Sequence, residues 1–256
     1  MTHPDPIAFE IAGFEIRWYG ILIALGMLIA VLLACKRAYY HGLKDEDVLD
    51  ACLFILPIGV IGARIYYVLF NLKYYNSLSD ALNIRAGGLA IHGGLIFGII
   101  TALLVCRHKK INPLNLLDLL MPVVALAQAI GRWGNFFNGE AHGGPTDLPW
   151  GIMVDGVKVH PTFLYESIWC FLLFIGLSYF DKNKRQAHGQ TFALYCIFYS
   201  VERFFVEALR TDSLMIGPFK QAQVISLCAI VYGITLYRIS AKFFPISTDS
   251  EELNQY

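Results

Sequence analysis

The sequence predicts an all-α integral membrane protein, a bundle of about seven transmembrane helices. Hydrophobic residues make up 56% of the 256 residues and mean hydropathy is +0.53. Charged residues are only 16%, whereas soluble domains carry about 25%. The 20 basic residues are balanced by 20 acidic ones, which excludes a nucleic-acid-binding protein with its basic excess. High hydrophobicity with little charge also excludes an intrinsically disordered chain.

Seven apolar stretches approach the roughly 20 residues that a helix needs to cross a bilayer. They cover about residues 18–35, 48–72, 87–106, 114–131, 162–180, 189–207 and 221–237. The six cysteines stand singly inside such stretches. We therefore expect them to be small hydrophobic side chains rather than disulfides or metal ligands.

Lysine and arginine concentrate in alternate connections between these stretches. The basic connections contain Lys36, Arg37, Lys44, Arg107, Lys109, Lys110, Lys182, Lys184 and Arg185. Because cytoplasmic loops are enriched in Lys and Arg, we expect the N-terminus outside and the C-terminal tail, 243–256, in the cytoplasm. No basic region precedes the first stretch, so we expect no cleaved signal peptide.

The chain shows no internal repeat or linker-like change of composition, which predicts a single domain over residues 1–256. Its longest connection, 131–161, is expected outside the membrane as a short extracytoplasmic subregion. Asp155-Gly156 inside it predicts the turn of a β-hairpin.

Unusual polar residues gather near the outer face in this topology. They are Tyr19, His92, Arg132, Asn135, Asn138, Glu140, His160, Tyr199, Arg203, Glu207 and Arg210. A charge at bilayer depth costs at least about 2.5 to 3.5 kcal/mol, so it faces a partner or a cavity. One interpretation is structural: Arg203 pairs with Glu207, Arg64 pairs with an acid, and Arg132 extends to the headgroups. The other is an anion site in a polar outer-leaflet cavity, because guanidinium groups match phosphate oxygens.

Several single residues admit two roles. His92 is either an interhelical hydrogen-bonding residue or a general base, and the glycines beside these groups allow either close ligand approach or tight helix packing. His142 and His160 lack metal-ligand spacing, so we expect no metal. Asp118 precedes Arg132 by 14 residues, which is about 21 Å along a helix. We expect it to be structural or to shape an acyl groove.

The run GRWGNFFNGE at 131–140 resembles the GRxGNFxNxE signature of bacterial prolipoprotein diacylglyceryl transferases. Other blocks resemble that family in the family's order, and the resemblance extends from about residue 13 to 235. These blocks are Arg17-Trp18-Tyr19-Gly20, Ile91-His92-Gly93-Gly94, the run HPTFLYE at 160–166, the run RFFVE at 203–207 and Arg210-Thr211-Asp212. The family has seven spans running from outside to inside, as expected here from the charges.

The resemblance implies a multi-pass enzyme of the bacterial cytoplasmic (inner) membrane, with its active site facing outward and no cofactor. Such enzymes transfer the diacylglyceryl group of phosphatidylglycerol to the lipobox cysteine thiol of a prolipoprotein. This first step of lipoprotein maturation forms a thioether and releases glycerol phosphate. The thiol must ionise before it attacks carbon, and the leaving phosphate must be held as its charge grows.

The resemblance also implies a set of roles. Arg132 and Arg203 would clamp the phosphate, and His92 would accept the thiol proton. Tyr19 and Tyr199 would orient the headgroup or the base, and Gly143 would allow close approach of the lipid. Asn135, Asn138 and Glu140 would bind the glycerol hydroxyls or Arg132. Glu207 would pair with Arg203 or Arg210, and the lipid-binding set would also include Glu207, Arg210 and His160. An arginine-polarised phosphate or water is the alternative base.

Other functional classes have less support in the sequence. A transporter or flippase for an anionic lipid or metabolite typically has two related halves and a site near the midplane, whereas seven spans do not divide evenly. A phosphatidyl-group transferase would show an Asp-rich motif such as DxxDGxxAR, which the chain lacks. A purely structural membrane subunit is the third alternative.

Overall fold

The computed structural model describes residues 4–11, 13–75, 77–83, 87–211 and 213–246. The chain divides into two compact units: one comprises Met1–Leu33 with Leu117–Tyr256, and the other Ala34–Leu116. The single domain predicted for 1–256 stays a prediction. The predicted cytoplasmic tail at 243–256 lies outside the described residues from position 247 onward, and so does Asp212 of the last family block.

Helices dominate the described residues, and each of the seven predicted stretches is confirmed as a helix. The helices are α1 Trp18–Ala38, α2 Asp45–Phe70, α3 Leu78–Leu82, α4 Ile91–Lys109, α5 Pro113–Phe137, α6 Thr162–Asn183, α7 Gln190–Leu209 and α8 Gln221–Phe243. Short antiparallel hairpins pair β1 Ile7–Ile11 with β2 Phe14–Arg17, β3 Ile152–Val154 with β4 Val157–Val159, and β5 Met215–Ile216 with β6 Phe219–Lys220.

Six helices within the described ranges are long and apolar enough to cross a membrane, namely α1, α2, α4, α5, α6 and α8. The chain is therefore a multi-pass membrane protein. Helix α7 is 20 residues long but falls outside these six because it carries more polar residues. Its Gln190, Glu202 and Glu207 are buried, so these polar groups are enclosed by protein rather than turned outward.

The unit Ala34–Leu116 is built around close contact of α2 with α4. A Cβ at Gly93 would collide with the carbonyl oxygen of Gly62, so the packing role is confirmed for this glycine. Lys109 at the end of α4 binds Asp47 near the start of α2 with an Nζ–Oδ1 distance of 2.7 Å. That ion pair connects the two helices at one end.

Among the described residues, Arg64 has no acidic partner of the kind that the sequence suggested. Instead of pairing with an acidic side chain, its guanidinium donates to backbone carbonyls of the connection between α2 and α4. The carbonyls belong to Asp80, Ala81, Asn83, Gly87 and Gly88. Five carbonyl dipoles match the fork of donors, so Arg64 holds a connection in place.

In the other unit, Asp118 of α5 is fully buried and accepts hydrogen bonds from the backbone N–H groups of Gly189 (2.6 Å) and Phe192 (2.9 Å). Arg185 also binds it at 3.3 Å. A carboxylate at a helix N-terminus satisfies free N–H groups and favours the helix dipole. The structural role expected for Asp118 is confirmed: it caps α7.

The predicted loop 131–161 begins too early, because α5 continues to Phe137. Phe136 is buried and stacks on Phe163 of α6, with ring centroids 4.7 Å apart, and this packing extends the helix. The predicted hairpin is confirmed. Asp155 and Gly156 form its turn with φ of 50° and 80°, and Val154 and Val159 pack on the same aromatic core.

Candidate functional site

Two arginines from different helices share one buried carboxylate. Arg132 lies near the end of α5, and its Nε forms an ion pair with Glu166 Oε2 on the first turns of α6. Arg203 of α7 binds the other oxygen, with 2.6 Å between Nη1 and Glu166 Oε1. The same guanidinium reaches Glu207 one turn further along α7, at 2.7 Å between Nη2 and Oε2. Arg132 and Arg203 thus belong to one group, which we call the arginine cluster: Arg132, Glu166, Arg203 and Glu207.

The cations of the arginine cluster are more accessible than its anions. The side chains of Arg132 and Arg203 are 21% and 20% exposed, whereas those of Glu166 and Glu207 are 2% and 3% exposed. The carboxylates therefore lie beneath the guanidinium groups and fix their orientation. Since a guanidinium has five N–H donors, the contacts formed within the described residues leave donors on both arginines for an anion.

Tyrosines border the cluster on α7. The Tyr199 hydroxyl lies 3.5 Å from Arg132 Nη2, and its ring stacks on Tyr195 with centroids 5.4 Å apart. Tyr195 donates to the side-chain oxygen of Gln128 on α5 at 3.0 Å. The predicted neighbourhood of Tyr199 and Arg132 is confirmed, and its role in orienting substrate stays a prediction.

The signature amides lie at the end of α5 and bind the signature acid. Asn135 and Asn138 donate from Nδ2 to Glu140 Oε1 at 3.3 and 3.1 Å. The Asn138 Oδ1 is buried, with no hydrogen-bond partner among the described residues. These three residues form a local hydrogen-bonded group that follows Arg132 in the chain, and their contact with Arg132 or with glycerol hydroxyls stays a prediction.

Gly143 allows close approach, but to the chain itself. A Cβ there would lie 2.7 Å from His160 Cβ and 3.1 Å from the Leu209 carbonyl oxygen, and the residue forms an isolated β-bridge with Arg210. Its N–H donates to the His160 carbonyl at 2.9 Å. Gly143 therefore connects the loop after α5 to the segment before α6 and to the end of α7. A side chain would not fit at this position.

The sequence itself matches known proteins over nearly its whole length. The sequence model of the family described as prolipoprotein diacylglyceryl transferase matches residues 6–239. A relative from Clostridioides difficile is 56% identical over 231 residues, which cover 90% of this chain and 93% of the relative.

The chain belongs to the prolipoprotein diacylglyceryl transferase family. Other relatives come from Finegoldia magna, 49% identical with 91% of this chain and 94% of the relative covered, and from Thermotoga maritima, 49% identical with 90% and 83% covered. All three relatives carry the name phosphatidylglycerol--prolipoprotein diacylglyceryl transferase.

Two further residues of the family blocks lie at helix starts. Tyr19, on the first turn of α1, packs against the end of α5. The contact is close enough that a Cβ added to Gly134 would lie 2.7 Å from Tyr19 Cδ2. His92, the second residue of α4, lies in the unit Ala34–Leu116, where its ring stacks on Tyr66 with centroids 6.1 Å apart. The orienting and base roles of these residues stay predictions.

Glu166 ends the family block at 160–166, but the sequence alone does not assign it to the site. The signal was the charge itself, because two arginines at one membrane depth require an anion and the start of α6 supplies one. Lys220 was also missed. Its Nζ donates to the carbonyls of Glu207 and Arg210 at 2.7 Å each, so it caps the end of α7.

Proposed function

We propose that this chain transfers the diacylglyceryl group of phosphatidylglycerol to the lipobox cysteine thiol of prolipoproteins. Membership of the prolipoprotein diacylglyceryl transferase family supports this reaction. One structural observation supports the assignment of the site: Arg132 and Arg203, from two helices, are held by one buried carboxylate with their guanidinium groups partly exposed.

The two arginines bind the lipid phosphate in this proposal. Glu166 holds them in place before the lipid arrives, so the site is preorganised and little reorganisation accompanies binding. When the C–O bond to phosphate breaks, the departing glycerol phosphate gains negative charge. Guanidinium groups in a water-poor site stabilise that charge more strongly than water does. Tyr199 adds a hydroxyl at the edge of the same guanidinium.

An apolar groove between α6 and α7 suits one acyl chain of the lipid. Its volume is about 360 Å³, and its lining residues are Trp169, Leu172, Leu173, Gly176, Leu177, Phe180, Leu194 and Phe198. The lining begins at Trp169, three residues after Glu166 on the same helix. A lipid with its phosphate on the arginine cluster would therefore place a chain in this groove.

The orientation follows the Lys and Arg distribution. We propose that α7 is the remaining span of a seven-helix bundle in the bacterial cytoplasmic membrane, with the N-terminus and the arginine cluster outward and the C-terminus in the cytoplasm. An exported lipobox cysteine and the outer-leaflet lipid would then reach the same side.

The test is transfer itself. Purified protein in detergent is incubated with phosphatidylglycerol and a synthetic lipobox peptide, and the peptide mass is measured. The expected result is a mass increase of one diacylglyceryl unit that needs both the lipid and the cysteine, with serine at that position as the control. No adduct in the presence of correctly folded protein would overturn the proposed function.

A further inference from the structure

Gly176, in the interior of α6, has open space where a side chain would be. A Cβ added there would meet no atom of the described residues within 4 Å. By contrast, a Cβ at Gly93 or Gly233 would collide with the carbonyl oxygen of Gly62 or Ala193, so those two glycines serve helix packing. Because glycine destabilises a helix interior relative to alanine, a glycine that no neighbouring helix requires needs another explanation. Gly176 is one of the residues that line the apolar groove between α6 and α7.

The groove continues the face of α6 that carries Glu166. This face consists of Glu166, Trp169, Leu173, Gly176 and Phe180, which follow one another at spacings of three or four residues. Such spacings place side chains on one side of a helix, one above the other. The last four of these residues line the groove. The groove therefore begins directly below the carboxylate that holds the two arginines.

Tyr199 connects the arginine cluster to the groove on the side of α7. Its hydroxyl lies 3.5 Å from Arg132 Nη2. Its ring packs against the apolar group that contains Leu173 and Leu177, which are the buried members of the groove lining. One side chain thus contacts both the cation and the floor of the groove. A lipid whose phosphate is bound by the arginine cluster has the groove next to the start of its acyl chains.

Gly176 lies at the depth where an acyl chain of one leaflet ends. It follows Glu166 by ten residues, which corresponds to about 15 Å along a helix. The hydrocarbon core of a bilayer is about 30 Å thick, so one leaflet accounts for about 15 Å of it. An acyl chain whose phosphate is held at the level of Glu166 would therefore have its terminal methyl group near Gly176.

Contacts with neighbouring helices fix an aromatic ring at each end of the groove. Near the arginine cluster, Trp169 Nε1 donates to the Phe198 carbonyl of α7 at 3.0 Å, which sets the separation of the two helices. At the other end, the ring of Phe180 contacts Tyr237 of α8, with centroids 6.4 Å apart. The groove therefore has a defined length, and Gly176 provides free space close to its lower end.

We propose that Gly176 determines the acyl-chain length of the lipid donor, because it leaves room for the end of the chain. This inference rests on the proposed function and deepens it. Since the surrounding bilayer is as apolar as the groove, burial of apolar surface does not distinguish one chain from another there. Selection then depends on close packing. A side chain at position 176 would occupy the space of the last methylenes of a long chain and would not touch a shorter one.

The experiment measures transfer to the lipobox peptide from dilauroyl-, dimyristoyl- and dipalmitoyl-phosphatidylglycerol in one detergent, so that only chain length varies. We expect Gly176→Leu to lower kcat/KM for the dipalmitoyl lipid by about tenfold or more. For the dilauroyl lipid, kcat/KM should stay within a few-fold of wild type. The loss should appear mainly in KM for the lipid, because the arginine cluster is unchanged.

Ile175→Phe is the matched control for added volume on α6. Ile175 is exposed and adjoins Gly176 in the chain, but it does not belong to the groove lining. This variant should keep the wild-type dependence on chain length. An unchanged dependence in Gly176→Leu, or an equal loss with all three lipids, would overturn the inference. A higher KM for the peptide without a change in lipid preference would assign the groove to the apolar segment of the peptide and would also overturn it.

Two outcomes separate this inference from the proposed function. If wild-type protein forms no adduct with any of the three lipids, the proposed function itself is wrong. If wild type is active and Gly176→Leu shows the wild-type preference, only the inference is wrong. Should Gly176→Leu fail to fold, Gly176→Ala takes its place, with a smaller shift toward short chains as the expected result and no shift as the contradicting one.

Discussion

Two buried polar clusters in the same unit have similar residues and different accessibility. The arginine cluster joins α5, α6 and α7 near one end of α5. Toward the other end, Asp118 accepts hydrogen bonds at the start of α7 and pairs with Arg185, which also pairs with Asp181 of α6. The side chains of Asp118 and Arg185 are 0% and 6% exposed, whereas the arginines of the arginine cluster are about one-fifth exposed.

This difference in accessibility indicates a structural role for the Asp118 cluster and a ligand-binding role for the arginine cluster. A carboxylate that accepts two backbone N–H groups and an arginine is fully used in holding helices, and a buried network of that kind specifies packing. Cations that lie above their counter-ions and keep unused donors are ready to bind an anion. Residue types and charges alone do not distinguish the two clusters, but the exposed fraction of their arginine side chains does.

The largest effect is expected from Glu166→Gln, which removes the shared counter-ion of two arginines. Breaking a buried ion pair from one side costs about 3 to 5 kcal/mol, so the thermal midpoint in detergent should fall markedly. Phosphatidylglycerol should recover part of the loss because its phosphate replaces the missing charge. A zwitterionic lipid serves as the control, and equal recovery with both lipids would contradict an anion site.

Arg132→Lys keeps the charge and loses the planar fork. Loss of one preorganised donor to a developing oxyanion costs about 10²- to 10³-fold in kcat, and we expect that loss in the peptide assay while the protein still inserts in the membrane. Arg185→Lys is the matched control in the Asp118 cluster. It should lower thermal stability and leave kcat per folded molecule near wild type. An equal loss of kcat in both variants would contradict the separate roles of the two clusters in catalysis and in stability.

Asp118→Asn should act on stability alone. The amide oxygen can accept one backbone hydrogen bond but does not pair with Arg185. Because Arg185 keeps its ion pair with Asp181, no buried charge is left without a counter-ion, and we expect a loss of about 1 to 3 kcal/mol. The check is the midpoint of thermal unfolding together with kcat corrected for the folded fraction. A large fall in kcat of the folded fraction would place Asp118 in the catalytic machinery.

Lys220→Met gives the smallest expected effect. Removing a cation from the end of α7 should cost about 0.3 to 1 kcal/mol, seen as a small decrease in thermal midpoint. Lys242→Met, near the end of α8, is the control for the loss of one lysine charge. If Lys220→Met instead changed kcat strongly, the end of α7 would have to move during turnover.

The fold was predictable wherever a local sequence signal specifies the element. Apolar length placed all seven long helices, and the Asp155-Gly156 pair placed a hairpin, because both signals are local. The extension of α5 to Phe137 was missed because it depends on a stacking contact with Phe163, a partner far along the chain. The partners of Arg64 were missed for a related reason: backbone carbonyls leave no trace in side-chain patterns.

The two arginines of the site and Glu207 were predictable from the sequence, whereas the place of Glu166 between the arginines was not. The spacing of Arg203 and Glu207 placed them on one helix face. The cost of a charge at membrane depth indicated that Arg132 faces a counter-ion or a polar cavity. Which acid would join the two arginines depended on the packing of α6 against α7, which residue types do not specify. The sequence alone likewise gives no sign that the carboxyl oxygens of Glu202 lack hydrogen-bond donors among the described residues.

The most direct test of the central claim is a solid-state NMR distance measurement between lipid phosphorus and arginine. Protein with 15N-labelled guanidinium groups is reconstituted with phosphatidylglycerol, and 31P–15N dephasing is recorded for wild type, Arg132→Lys, Arg203→Lys and Arg64→Lys. We expect a close phosphorus–guanidinium contact that weakens in the first two variants and persists in the third. Absence of the contact in wild type, or its persistence in both Arg132→Lys and Arg203→Lys, would contradict it.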